Sequence, residues 1–413
     1  MGWLPDLSTN LSYIGVRGYQ KVPGESGLKF VYQLETQIDI AATSGSAETG
    51  SNKSNVVKDG LTSRNSFIGF ASDAWGAIKV GKTDAPYKSS TAMMNPFSGM
   101  LGDYQVIMGN TGGDNRVEFG TRLDHSIWYE SPNLWGVKFA ALYSPGQNRA
   151  SDSDNIAAGE SDCTGGNIPG SGGLAPFCND GAFSDAFSVS ATYTNGPLLL
   201  TTAYERHQKV NRSSDISGIY VNPPAGFLEA DTADEDAFKV GAQYKFATKT
   251  TVSAIWETMH RYVPSFLSFQ NERQRQGTWL AITQELTPKD SVSVGWAHAF
   301  KTPGDPGQHN DSINTPPLGV PGTDFVAGAS VDNHADMVTA AYTRILGNGI
   351  SAYVDWAGTF NGPFAHYDLG AGGRAVTVDC HDAASASGGA QSSPHCWTGE
   401  TLMGVSVGLR YRF

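Results

Sequence analysis

The chain has no run of apolar residues approaching the roughly 18 needed for a membrane-spanning helix, so it crosses no bilayer in that form. Basic residues are in the minority, 28 against 40 acidic ones for a net charge of −12, which argues against a nucleic-acid partner. Cysteine is scarce. The four fall as two local pairs, Cys163/Cys178 and Cys380/Cys396, in Gly-, Ser- and Ala-rich segments without strand patterning. Neither pair has the CxxC spacing of a zinc site, and an even count suits two loop disulfides in an oxidising compartment, the alternative being four unpaired thiols. Acidic loop residues such as Asp152, Asp154 and Asp162 match no EF-hand spacing, so no metal or cofactor is expected. A charged–apolar–small leader is absent at the N-terminus, and the chain reads as mature or trimmed sequence. Hydrophobic residues make up only 39% of 413, low for a soluble globule of this size. A lipid-facing β-strand turns only every other residue to the membrane, and that arrangement tolerates low mean hydropathy.

What is present is alternation. From Thr401, one parity runs Thr401, Met403, Val405, Val407, Leu409, Tyr411, Phe413, and the other Leu402, Gly404, Ser406, Gly408, Arg410, Arg412. Side chains alternate faces along a strand, so one face is apolar with an aromatic end and the other small or basic. About 9–11 tilted residues cross the hydrocarbon, the length available here. Tyr411 and Phe413 therefore end a membrane-inserted terminal strand.

The pattern recurs. Strands are predicted over 9–21, 27–41, 62–71, 76–82, 121–132, 136–145, 183–194, 197–208, 236–246, 250–262, 276–286, 290–300, 336–346, 349–360 and 400–413. Their connections alternate between short turns, such as Asn195-Gly196 and Gly347-Asn348-Gly349, and long polar loops. Every long loop then lies at one end, as in an outer-membrane barrel with short periplasmic turns and long external loops, and aromatics gather near strand ends as interface girdles. The fold expected is all-β: one transmembrane antiparallel β-barrel over residues 1–413. Fifteen strands are visible. Single-chain bacterial barrels have even numbers, which predicts a sixteen-strand design whose first strand, before residue 9, is truncated.

Within Thr62–Lys82, SRNSFIGFASDAWGAIKVGK resembles the general porins of Gram-negative outer membranes, most closely the neisserial and betaproteobacterial branch. YIGVRG (13–18), GLKFVYQLE (27–35), WYESPNLWGVKFAALYSP (128–145) and the terminal YRF fit the same branch in the same order. The resemblance implies that segment 83–120, ending in RVEFG (116–120), is the family's third loop, folded into the barrel to narrow it. It implies a constriction between acids of that loop (Asp114, Glu118 and a third, Asp103) and a basic wall of Arg64 and Lys82, with Arg17, Lys29 and Arg122 adjoining. It also implies a homotrimer.

Physics supports a basic lumen independently. An Arg or Lys facing lipid at the midplane costs roughly 2–4 kcal/mol, so mid-strand Arg17, Lys29 and Arg64 must turn inward. Opposed charges across a narrow wet gap orient dipolar solutes and penalise apolar ones. The reading is a passive channel for ions and small hydrophilic solutes, surrounded by outer-membrane lipids, with a preference for anions. The alternatives are a substrate-selective channel, which needs an aromatic track for which Tyr87 and Tyr104 are the candidates, and a structural or adhesive barrel. An enzyme is disfavoured because Asp124 and His125, as strand neighbours, point to opposite faces, while His381-Asp382 has no Ser nucleophile nearby.

Overall fold

The computed structural model describes residues 7–25, 27–38, 64–109, 119–145, 185–210, 233–262, 273–301, 334–362, 365, 367, 369, 399 and 401–413. Fifteen strands form one sheet in sequence order. They are β1 (Tyr13–Lys21), β2 (Leu28–Gln37), β3 (Ser66–Ser72), β4 (Gly76–Asp84), β5 (Arg122–Glu130), β6 (Val137–Pro145), β7 (Asp185–Asn195), β8 (Leu198–Val210), β9 (Ala233–Lys245), β10 (Thr250–Arg261), β11 (Arg273–Glu285), β12 (Asp290–Ala299), β13 (Ala335–Gly347), β14 (Ile350–Asn361) and β15 (Thr401–Tyr411). Each pairs antiparallel with its sequence neighbours. The expected strands all form, with ends displaced by a few residues. The additional strand expected before residue 9 falls largely on residues 1–6, outside the described part.

Register turns the alternation into two surfaces. One row across the sheet reads Phe70, Ile78, Tyr129, Ala141, Val189, Tyr204, Phe238. The row beside it reads Gly69, Lys79, Trp128, Leu142, Ser188, Glu205, Ala237, Met259, Arg275. The first row is open: Phe70, Ile78 and Val189 are 47%, 48% and 44% exposed, while Ser188, Glu205 and Arg275 in the second are buried. Apolar outside and polar inside is the reverse of a soluble protein, and suits a sheet whose outer solvent is hydrocarbon.

Short turns close one end. In the last hairpin Gly347 pairs with Ile350, and the two residues between them, Asn348 (φ 51°) and Gly349 (φ 78°), are both left-handed. That is the primed turn whose twist matches the flanking strands. Aromatic belts mark both ends, with Tyr244 and Phe246 (centroids 4.8 Å apart) and Tyr411 and Phe413 (5.5 Å) on the turn side, and Tyr143 stacked on Phe187 (4.8 Å) on the loop side.

The sheet curls into a barrel around the segment between β4 and β5. Consecutive residues of that segment reach both edges of the sheet. The carbonyl of Ser98 accepts from Arg410 Nη2 on β15 at 2.5 Å, and a Cβ on Gly99 would lie 2.9 Å from Leu11 Cδ1, just before β1. Two adjacent residues lie against the last strand and against the residue just ahead of the first, which places the two edges of the sheet near each other.

Candidate constriction site

Between β4 and β5, the described residues 85–109 and 119–121 include many side chains buried against the inner face of the sheet. This segment opens with a short helix, α1 (Pro86–Ser90), with Pro at its start, where no backbone donor is needed. The residue before it, Ala85, offers no side-chain cap; the barrel wall supplies one instead, Ser188 Oγ on β7 accepting from Tyr87 N at 2.9 Å. Single 3-10 turns follow at Ala92–Met94 and Tyr104–Val106. Met94, Phe97, Met100, Tyr104, Ile107 and Met108 then bury against an inward patch of β8 to β14 that includes Leu199, Ile255, Trp279 and Met337. Trp279 is edge-on to Phe97 (5.8 Å), tilted against Tyr104 (5.2 Å), and donates from Nε1 to Met94 O at 3.0 Å. At Gly102 (φ 68°) the loop backbone lies so close to β13 that a Cβ would collide with Thr339 Oγ1. The described residues of the loop thus lie mainly along the wall of β8 to β14.

Near the starts of β3 and β5, Arg64 and Arg122 come together with groups that sequence reasoning passed over. Asp84 Oδ1 lies 3.0 Å from Arg122 Nη2 and 2.9 Å from Lys88 Nζ. Asn65 bridges the group: its Oδ1 accepts from Arg122 Nε (2.7 Å) and from Asp84 N (3.0 Å), and its Nδ2 donates to Asp84 Oδ2 (3.0 Å). Arg64 sits just ahead of β3 rather than mid-strand as expected, because the strand begins only at Ser66; its guanidinium lies 4.5 Å from the ring of Tyr13, and its Nε has no hydrogen-bond partner among the described residues. Burial, and then the neighbouring Arg122 cation, lower its pKa below the ordinary arginine value. An arginine nonetheless stays charged. Three cations share Asp84 and, on the lumen parity of β2, Glu35.

The other expected residues stand apart. Arg17 keeps the lumen parity, opposite Gln33, and is exposed. Lys29 shares that parity but sits at the turn end of β2, 3.1 Å from Asp73, and so belongs to the turn-side rim rather than mid-strand. Lys82 pairs opposite Ser66, the parity of Ile68 and Val80, and its ammonium is 2.9 Å from Asp124. Asp103 is buried inside the loop and holds it together, accepting from Asn95 Nδ2 (2.8 Å), Gly99 N (3.2 Å) and Gln105 N (3.2 Å). Its burial raises the carboxyl pKa. Tyr87 and Tyr104 are buried in the loop's packing and form no track along water; burial raises both phenols. Asp114, Glu118 and all four cysteines lie outside the described residues.

A second polar group, unforeseen, lies behind the loop. Glu257 on β10 accepts from Tyr87 OH (3.1 Å) and from Gly109 N (2.6 Å). Its register partner Lys239 on β9 donates to Thr91 Oγ1 (2.9 Å) and lies 4.0 Å from the Tyr87 ring. Arg275 Nη2 is 3.6 Å from Glu257 Oε1. Further along, His207 bridges Glu205 (3.2 Å) and Glu235 (2.8 Å) while Phe119 stacks on its ring at 4.9 Å. The signal was present in the sequence: these are mid-strand charges, and the lipid cost that turns Arg17 inward turns them inward too.

Such an architecture, a single antiparallel sheet curled apolar side out around an inward loop, defines a transmembrane β-barrel protein. Residues 5–363 match the Gram-negative porin family, and the chain belongs to it. An outer-membrane porin protein of Bordetella pertussis is 25% identical over 206 residues, 50% of this chain and 44% of that protein, so the chain spans less than half the length of that curated relative. Among solved structures, an anion-selective porin from Comamonas acidovorans shares the fold at TM-score 0.61 and 17% identity, covering 97% of this chain and 89% of that one. OmpT of Vibrio cholerae does so at TM-score 0.53 and 11% identity, with the same coverage. The chain is a barrel of the outer membrane.

Proposed function

We propose that this barrel is a passive diffusion channel through which ions and small hydrophilic solutes move down their gradients, without chemistry or cofactor, and that it favours anions. The reading is supported by three cations gathered around two carboxylates: Arg64 and Arg122 on the wall and Lys88 on α1, with Asp84 and Glu35 between them. Among the described residues of the loop, the exposed ones, Ser89, Ala92, Met93 and Ser98, carry no charge. A local excess of cations at the narrow part outweighs acidic loop residues more than about 8–10 Å away, which salt screens. Asp114 and Glu118 are proposed as the loop's acids facing this wall, with Arg17 extending the basic path. The chain is expected to assemble as a homotrimer and to close its external loops with disulfides Cys163-Cys178 and Cys380-Cys396.

The test is the zero-current potential of single channels in planar bilayers under a KCl gradient. Wild type should give an ohmic conductance and an anion-favouring potential. Arg64→Ala should reduce that preference and Asp84→Asn, which leaves Lys88 and Arg122 unopposed, should increase it. A cation-favouring wild type would overturn the choice of dominant charges. No conductance from folded protein would overturn the channel.

A further inference from the structure

The loop that narrows the barrel is held in two physically different ways. The apolar patch under Met94, Phe97 and Ile107 gives adhesion without direction: methyl and ring contacts are nearly as good after a shift of one or two ångströms. Hydrogen bonds to a buried charge are directional and lost by the same shift. Only one wall carboxylate among the described residues accepts from both limbs of the loop. Glu257 Oε2 takes the hydroxyl of Tyr87 in the outgoing helix, and Oε1 takes the backbone N–H of Gly109, twenty-two residues on. The carboxylate is buried, as are both donors.

The surroundings hold this carboxylate in place. Lys239 faces it in register across the β9–β10 pair and is itself tied to the outgoing limb through Thr91. Arg275 approaches from β11, its three guanidinium nitrogens without a hydrogen-bond partner among the described residues, so its attraction to Glu257 at 3.6 Å acts through charge rather than through a bond. Across the strand pair Glu257 lies opposite Gly277, whose missing side chain gives it room beside Met108: a Cβ there would fall 2.7 Å from Met108 Sδ and 3.2 Å from Glu257 Oε1.

We infer that Glu257 is the positioning residue of the constriction: by binding both limbs of the inward loop at once, it fixes how far the loop stands from the basic wall and so sets the bore. It touches no permeating ion. The inference rests on the channel reading above and adds what determines the width of that channel.

The test compares wild type, Glu257→Gln and Glu257→Ala as full-length folded barrels in planar bilayers, recording mean conductance and open-channel noise. Glutamine can still accept from Gly109 N and donate to the tyrosine oxygen, but its lost charge leaves Lys239 and Arg275 unopposed; alanine keeps neither bond. Open-channel noise should therefore rise several-fold with sub-conductance levels in Glu257→Ala, and less in Glu257→Gln, while the heat-modifiable electrophoretic mobility of the barrel is retained. A control variant, Ile107→Ala, trims the apolar adhesion and leaves both bonds; it should change thermal stability more than noise. Quiet, full-size channels from Glu257→Ala would overturn the inference while leaving the channel intact. A wild type that does not conduct would instead overturn the channel reading itself. Should Glu257→Ala fail to fold, Tyr87→Phe, which removes one limb's bond alone, must raise the noise, and a quiet Tyr87→Phe channel also overturns the inference.

Discussion

At the scale of single residues, charge in this barrel divides into groups that meet water and groups that hold the loop. Asp103 belongs to the second kind. Its two oxygens receive three donors, so replacing it with alanine orphans all three at about 1–3 kcal/mol per buried group. The substitution Asp103→Asn would keep the donors at Oδ1 and set its amide against Gly99 N–H, an intermediate loss. The pH dependence follows from burial, which raises the folded carboxyl pKa above the ordinary 3.8. Between those two values the folded loop holds more protons than the unfolded chain, so stability from this group falls as pH rises through that window and is recovered below 3.8. Lowering the pH from neutral towards the ordinary aspartate value should therefore raise the melting temperature of wild type relative to Asp103→Asn. Thermal unfolding followed by circular dichroism across that range checks the order wild type, Asp103→Asn, Asp103→Ala at neutral pH. A melting difference that shrinks on acidification contradicts the assigned burial.

At the scale of the strand, neighbouring positions have opposite tolerances because they face different solvents. Val405 on β15 is 56% exposed on the outer face; Ser406 points inward and hydrogen-bonds Asp355 on β14. Val405→Lys should cost roughly 2–4 kcal/mol in folding from urea into lipid vesicles, the depth-dependent lipid penalty for a cation. Ser406→Lys should cost far less, since its ammonium finds Asp355 and water. Equal losses at the two positions would show that β15 does not present alternate faces to lipid and lumen. The inward loop also has a scale of its own. Its approach to β13 at Gly102 leaves no space for a side chain, so the backbone there, like the two bonds at Glu257, determines where the loop runs.

At the scale of the whole molecule, the expected behaviour is that of a sieve. Reconstituted in liposomes, the protein should make the vesicles swell in isotonic small sugars and not in polymers wider than the bore; uniform swelling with every solute would mean the loop does not narrow the barrel. Unheated electrophoresis should show an assembly of three chains that heat dissociates. The same purified protein, unreduced and mapped by mass spectrometry, should yield peptides joined as Cys163-Cys178 and Cys380-Cys396.

Much of this was open to reading in the chain itself. A period of two repeated over fifteen strands, with turns such as Asn348-Gly349 and long loops alternating between them, specifies strand, face and topology because each depends only on near neighbours and on the cost of putting charge in lipid. The third loop and Arg122 were singled out by resemblance, and Arg64 both by resemblance and by the cost of a cation in lipid. What alternation could not supply was the arrangement at the strand ends, where the period lapses. There Lys82 turned to Asp124, Lys29 to Asp73 and Asp103 into its own loop, while Asn65, Asp84 and Lys88 joined the basic group. The group of Glu257, Lys239 and Arg275 lay in plain strand positions, yet its role depended on residues more than a hundred positions away in the loop. Local pattern decides which way a side chain faces; only closure of the barrel decides what it meets there.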